Sequence, residues 1–189
     1  SYVFSSVLDG EMSYGFVRTS KDIATLYDGL IMRNYRTLTA YQPDLTRGYS
    51  NTFSAKLNYK DVFKMMFAGA GVYYSLGRPK VLYGYNYDGI YAEAVGMRTD
   101  ELSHSVRAEV DFSKGFHWAN TTVKAKADVI VSEHPYLAQD RITRTRSNVV
   151  QLGVYLTMEP WKWMNLSYSG DVMRSQSLQP DGESFPVLY

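Results

Sequence analysis

The residues from Tyr49 to Tyr59 alternate without a break. Tyr49, Asn51, Phe53, Ala55, Leu57 and Tyr59 take one parity; Ser50, Thr52, Ser54, Lys56 and Asn58 take the other. A period of two gives an extended chain one apolar and one wet face, the signature of a half-buried β-strand. The pattern recurs over Leu102–Phe112, Ala119–Val131, Val150–Met158 and Met164–Val172, and less cleanly over Val62–Leu76, where Gly69 and Gly71 thin one side. Runs of about 11 residues exceed the usual strand of about five or six, and match the roughly 9–11 that cross a bilayer at a tilt. Helical periodicity is confined to Ser20–Tyr27, where Ser20 can cap a short amphipathic turn. The expectation is an all-β, antiparallel up-and-down transmembrane β-barrel, probed against a soluble two-layer β-sandwich, which also alternates.

Composition narrows the partners. With 20 basic and 19 acidic residues the formal charge is +1, which gives no electrostatic reason to expect nucleic acid. The absence of cysteine excludes disulfides, thiolate metal sites and thiol nucleophiles. No run approaches the roughly 20 apolar residues of a membrane helix, and Ser1–Leu8 lacks the charged start and apolar run of a signal peptide. The unusual component is tyrosine, 17 of 189 residues, a residue favoured in strands and at membrane boundaries.

Polar turns bracketed by large apolar side chains are expected at Tyr59-Lys60-Asp61-Val62-Phe63, at Phe112-Ser113-Lys114-Gly115-Phe116, and at Met158-Glu159-Pro160-Trp161, about 50 residues apart. The opposite connections read as long: residues 20–46 as a loop or irregular connection, 77–90 and 133–144 as loops on the ligand side. Short turns at one end and long loops at the other is the asymmetry of outer-membrane barrels. Tyr59, Phe63, Phe112, Phe116, Trp118, Trp161 and Trp163 would form the aromatic girdle at the short-turn end, with Tyr73, Tyr74 and Tyr91 towards the other. The polar parity would then direct Lys56, Arg107, Glu109, Asp111, Lys124, Lys126 and Asp128 into the lumen; in a sandwich the same residues are the solvated face.

The ordered set Leu57-Asn58-Tyr59-Lys60-Asp61-Val62-Phe63, Asp111-Phe112-Ser113-Lys114-Gly115-Phe116 and Glu159-Pro160-Trp161-Lys162-Trp163 resembles successive periplasmic turns of TonB-dependent outer-membrane receptors of the nutrient-uptake type. The resemblance covers about Thr46 to Ser177. It implies a segment of a barrel of about 22 strands, plugged by a separate domain, that imports a small nutrient such as a sugar, peptide or chelate with energy coupled through an inner-membrane protein. The chain departs from the full pattern: it has room for about six to eight strands, and neither a plug nor the coupling motif can be matched to its residues. The expected organisation is therefore one barrel segment over residues 1–189. A complete small outer-membrane barrel is the other arrangement, for which Phe185, Val187 and Tyr189 supply an alternating aromatic end that Pro186 interrupts.

Nothing in the sequence assembles a catalytic or metal site. His104, His117 and His134 lack metal-ligand spacing, no nucleophile and base are brought together, and no cofactor is expected. Ligand recognition is instead expected at Tyr83, Tyr85, Asn86, Tyr87 and Asp88, because tyrosine offers flat apolar area with a hydroxyl at low entropic cost. Tyr136, Arg141, Arg144 and Arg146 of the second long loop could hold an anionic group, against the plainer expectation that they form a hydrated rim. A sandwich would use the same tyrosines to bind carbohydrate or protein.

Overall fold

A computed structural model describes residues 2–19, 30–34, 37–40, 47–88, 91–138, 141–178 and 184–188. The expected helical turn at Ser20–Tyr27 and the terminal Tyr189 lie outside them. The described strands are β1 (Tyr2–Ser5), β2 (Leu8–Thr19), β3 (Leu30–Asn34), β4 (Thr37–Ala40), β5 (Gly48–Asp61), β6 (Met66–Arg78), β7 (Val81–Asp88), β8 (Tyr91–Arg98), β9 (Ser103–Phe116), β10 (Thr121–Ala138), β11 (Arg141–Trp161), β12 (Met164–Leu178) and β13 (Ser184–Leu188). All belong to one sheet. Its main run is antiparallel, in the order β1-β2-β5-β6-β9-β10-β11-β12-β13, and among the described residues β1 and β13 are its open edges. Pro186 sits on the edge strand β13, opposite Gln176, where a missing N–H is tolerated. A branch of two hairpins, β7–β8 and β3–β4, joins through parallel contacts of β7 with β10 and of β4 with β8.

The sheet has one layer, so the two-layer arrangement of a sandwich is not formed by the described strands. Leu137, 4% exposed, is the one buried large hydrophobic among them, while Met12, on the apolar parity, is 85% exposed. Alternation has therefore produced an apolar face without a covering layer.

Several expected boundaries move. Each short turn lies two to four residues later than its polar cluster suggests. Lys60 and Asp61 pair with Phe67 and Met66 in the β5–β6 ladder, and the chain reverses over residues 62–65. Asp61 accepts the Lys64 backbone N–H at 3.0 Å, and Met65 N–H bonds Val62 C=O at 3.1 Å. Ser113, Lys114 and Gly115 pair with Lys124, Val123 and Thr122, and the reversal comes at residues 117–120, with Ala119 and Asn120 at φ 51° and 43°. Ala119 is thus in a turn and β10 starts at Thr121. In the third hairpin Glu159 and Pro160 form a register shift between Met158 and Trp161. The bulge restores Trp161, paired with Met164, to the face that carries Leu166 and Tyr168.

The long connections are also more ordered than expected. Residues 77–90 are not one loop: β6 runs to Arg78 and β7 pairs with β8 from Val81↔Arg98 to Asp88↔Tyr91. Residues 133–144 continue the β10–β11 ladder through Glu133↔Arg146 to Ala138↔Arg141. Residues 30–34 and 37–40 within the expected connection at 20–46 are the strands β3 and β4.

The register gives the apolar face a shape. At the loop end, its first polar residue is Arg18 on β2, Asn51 on β5, Arg78 on β6, His104 on β9, Glu133 on β10, Asn148 on β11 and Arg174 on β12. Cross-strand pairing leads from Arg174 through Val150, Val129, Ala108, Val72 and Ala55 to Met12. The boundary has therefore slipped by six residues, Met12 to Arg18, in six strand steps, with Asn51 one position early. At the turn end the row of Leu8 leads to Gly170, and the apolar parity of β12 begins six residues earlier, at Met164. Six residues span about 20 Å and six strand spacings about 29 Å, so both boundaries depart from the perpendicular to the strands by about 35°.

Candidate functional site

The seven charged residues expected on one face are brought there. The row through Lys56 continues as Gly71, Glu109 and Asp128, and the next as Gly69, Asp111 and Lys126. Arg107 lies opposite Tyr73 and Ile130, and Lys124 opposite Ser113 and Tyr155. Arg107 forks onto Asp128, Nε to Oδ1 at 3.2 Å and a terminal nitrogen to Oδ2 at 2.5 Å, while that nitrogen also approaches Glu109 at 3.2 Å. A planar guanidinium suits such a shared geometry. A depression of about 360 Å³ opens on this face, its lining including Arg107, Asp111, Lys126, Gln151 and Tyr155.

Sequence reading missed two matching units here. In each, a Gly-x-Tyr strand segment folds its tyrosine back over the glycine and onto a carboxylate of the next strand. Tyr155 lies over Gly153, with Cε2 3.1 Å from where a Cβ would stand, and donates to Asp171 at 2.6 Å. Tyr73 lies over Gly71 and donates to Glu109. The preceding strand supplies a cation over each ring, Lys126 at 5.8 Å from Tyr155 and Lys56 at 5.4 Å from Tyr73, within cation–π range. The signal was available as Gly71-Val72-Tyr73 and Gly153-Val154-Tyr155, but the facing carboxylates need the register. Tyr73 therefore faces the polar side rather than an outer girdle. Tyr74 takes the apolar face, in a row with Tyr14 and Phe53, whose rings are 4.9 Å apart.

The aromatic cluster at the short-turn end is distributed along that end. Phe63 (99% exposed) stands in the β5–β6 turn, Trp118 (74%) in the next, and Trp161 and Trp163 (58% and 80%) flank the third, stacked at 5.6 Å with planes 11° apart. Phe116 pairs with Thr121 at the end of its ladder, whereas Tyr59 and Phe112 lie farther in, in one row with Ala68 and Ala125. The turns also interlock: Gly115 N–H donates to Met65 C=O at 2.8 Å and Lys114 Nζ to Lys64 C=O at 2.5 Å.

At the opposite end, the two expected ligand-contacting stretches meet. Gly84 and Tyr85 of β7 run parallel against Leu137 and Ala138 of β10. A Cβ on Gly84 would stand 2.0 Å from Leu137 C=O, so only glycine permits this approach. Tyr83 and Tyr85 are exposed on either side of it, and Asn86, Tyr87 and Asp88 continue the backbone of β7. Tyr136 and Arg141 lie on the adjoining β10 and β11, opposite Thr143 and Ala138. Arg144 binds Glu101, and Glu133 at 3.2 Å. Asp100 joins the same end by bonding Lys80, and Arg78 at 3.0 Å. The Lys80 hydrogen bond and charge, with Arg78 behind, hold its carboxyl below the ordinary range.

No group of three or more His, Asp or Glu side chains is placed to hold a metal among the described residues. No family model, no curated protein and no solved structure matches the chain.

Proposed function

We propose that this chain is a wall segment of a transmembrane β-barrel in the outer membrane of a Gram-negative cell, serving a receptor that binds a small nutrient and admits it through a plugged lumen. The observation that carries the reading is the oblique apolar belt. Membrane barrel strands tilt by about 35–45° from the bilayer normal, so a belt parallel to the bilayer must depart from the perpendicular to the strands by that angle, and the boundaries here depart by about 35°. From Val123 to Val131 the apolar parity spans about 26 Å of strand, or about 22 Å of height at that tilt, against the roughly 25 Å apolar band of such barrels.

The distribution of polar groups supports the same reading. Arg107, Asp128 and both tyrosine–carboxylate units lie on the face that would be the lumen, where charge stays hydrated, and the exposed tryptophans stand at the turn end of the belt, where indoles favour the lipid–water boundary. The receptor assignment rests on the resemblance of the three turns to TonB-dependent receptors, with Tyr83, Tyr85, Asn86, Tyr87 and Asp88 on the ligand side and an inner-membrane protein supplying the energy.

The test is to refold the chain from urea into zwitterionic lipid vesicles and, in parallel, into plain buffer. Under this reading, protease-resistant β-structure forms only with lipid or detergent. A cooperatively folding, monodisperse species in plain buffer would rule the reading out.

A further inference from the structure

The outward face carries a feature that an inert lipid-facing wall does not require. On β2, β5 and β6 the first row beyond the loop-end boundary reads Arg18↔Tyr49↔Arg78, two guanidiniums flanking one phenol on neighbouring strands. Arg18 makes no ion pair among the described residues; its guanidinium leans back over the Phe16 ring at 5.5 Å. Arg78 gives one terminal nitrogen to Asp100, but its Nε is buried and has no hydrogen-bond partner.

Two rows below this cradle on the same face, beyond Phe16, Asn51 and Leu76, the same three strands form an apolar valley. Ala55 and Ala70 leave it shallow between Met12, Leu57 and Val72, and the Phe4 ring lies over Gly10 at its turn-side end. Two depressions of about 530 and 380 Å³ follow one another along it, sharing Met12, Ala55 and Val72. The valley and the cradle lie on one face in one register, apolar first and cationic at the end. The charge pattern is one-sided as well: Lys60, Lys64, Lys114 and Lys162 supply the cations near the short turns, and no arginine lies there.

We propose that this face holds one anionic membrane lipid bearing a phosphate monoester, its acyl chain in the valley over Met12, Ala55 and Val72 and its phosphate between Arg18 and Arg78. Arginine is suited to this role, since its planar fork binds phosphate bidentately and is weakly hydrated. The Tyr49 hydroxyl adds a donor, and the apolar chain supplies binding free energy that free phosphate lacks. The inference rests on the membrane-barrel reading.

The test uses the full chain refolded into phosphatidylcholine nanodiscs containing a minor fraction of phosphatidic acid, followed by transfer to detergent and mass measurement of the intact complex. The expected result is one phosphatidic acid retained per chain, with retention at least ten-fold weaker in Arg18→Gln/Arg78→Gln. Lys60→Gln/Lys162→Gln, at the opposite boundary, should retain it fully, and inorganic phosphate should not displace it. Equal retention by the two double variants, or by phosphatidylcholine alone, overturns the lipid site while leaving the barrel reading in place. Failure of the chain to insert into either lipid overturns both. An Arg18→Lys/Arg78→Lys variant, which keeps the charge, separates fork geometry from attraction alone and should retain lipid to an intermediate degree.

Discussion

Tyr155 reaches Asp171 across the bare backbone of Gly153, donating its hydroxyl at 2.6 Å, because a Cβ on that glycine would stand 2.5 Å from the same carboxylate oxygen. The glycine is thus the floor on which the phenol and carboxylate meet. Gly153→Val should displace both side chains and lower stability by about 1–3 kcal/mol, the usual range for overpacking. Urea unfolding of the bilayer-refolded protein measures this. Gly77→Val, where the nearest atom to a Cβ is Ser103 Cβ at 3.8 Å, should be close to neutral.

Gly84 presents a harder constraint, because the atom opposing a Cβ there is the Leu137 carbonyl oxygen at 2.0 Å, and backbone cannot swing aside as a phenol can. Gly84→Ala should detach β7 from β10 and leave the long ladders intact. Hydrogen exchange should accelerate near Tyr85 and Ala138, with the β9–β10 amides unchanged; uniform acceleration would contradict local docking.

How far this was legible in the sequence depends on which side of the belt is considered. Within it, one face is apolar and the other polar, so Phe53-Ser54-Ala55-Lys56-Leu57 announces both the strand and its faces. Beyond it both faces are wet. Ser132, Glu133 and His134 face Ser147, Arg146 and Thr145 in a continuous ladder, yet polar residues on both parities leave no period of two, and the segment reads as a loop. The turns were misplaced for a related reason: Lys60-Asp61 and Ser113-Lys114 are polar but still paired. The Gly-x-Tyr units and the oblique boundary depend on register, which no single strand contains.

Ala119 occupies a left-handed backbone conformation, φ 51°, followed by Asn120 at 43°. Asparagine tolerates that region, whereas a Cβ beside the following carbonyl costs alanine about 1–2 kcal/mol. Ala119→Gly should therefore stabilise the β9–β10 hairpin by about 1 kcal/mol, less the added flexibility of the unfolded chain. A rise in the urea midpoint without a change in slope is the expected readout.

The loop end should loosen in acid. Asp100 is held below the ordinary carboxylate range first by its Lys80 hydrogen bond, then by the Lys80 and Arg78 charges. A depressed folded value stabilises above the unfolded pKa, and the contribution is lost as pH falls through the folded one. Asp100 lies beside Thr99, whose N–H bonds Lys80 C=O at 3.0 Å. Exchange of the Thr99 amide, corrected for intrinsic rate, should increase as the solution is acidified below the usual carboxylate range. Asp100→Asn should show the looser state already at neutral pH.

Gln151 and Leu152 are consecutive on β11 but face opposite sides, Gln151 beside Asp128 and Leu152 beside Ala127 in the middle of the apolar belt. If that belt meets hydrocarbon, Leu152→Arg places a cation near the bilayer midplane at a cost of about 2–4 kcal/mol. Gln151→Arg adds the same group to the hydrated face beside Asp128 and should cost little. The two variants share strand, length and added charge, so their difference isolates the medium that each face meets. Equal urea midpoints in lipid vesicles would mean that both faces meet water, and the membrane reading would fail with the belt geometry still standing.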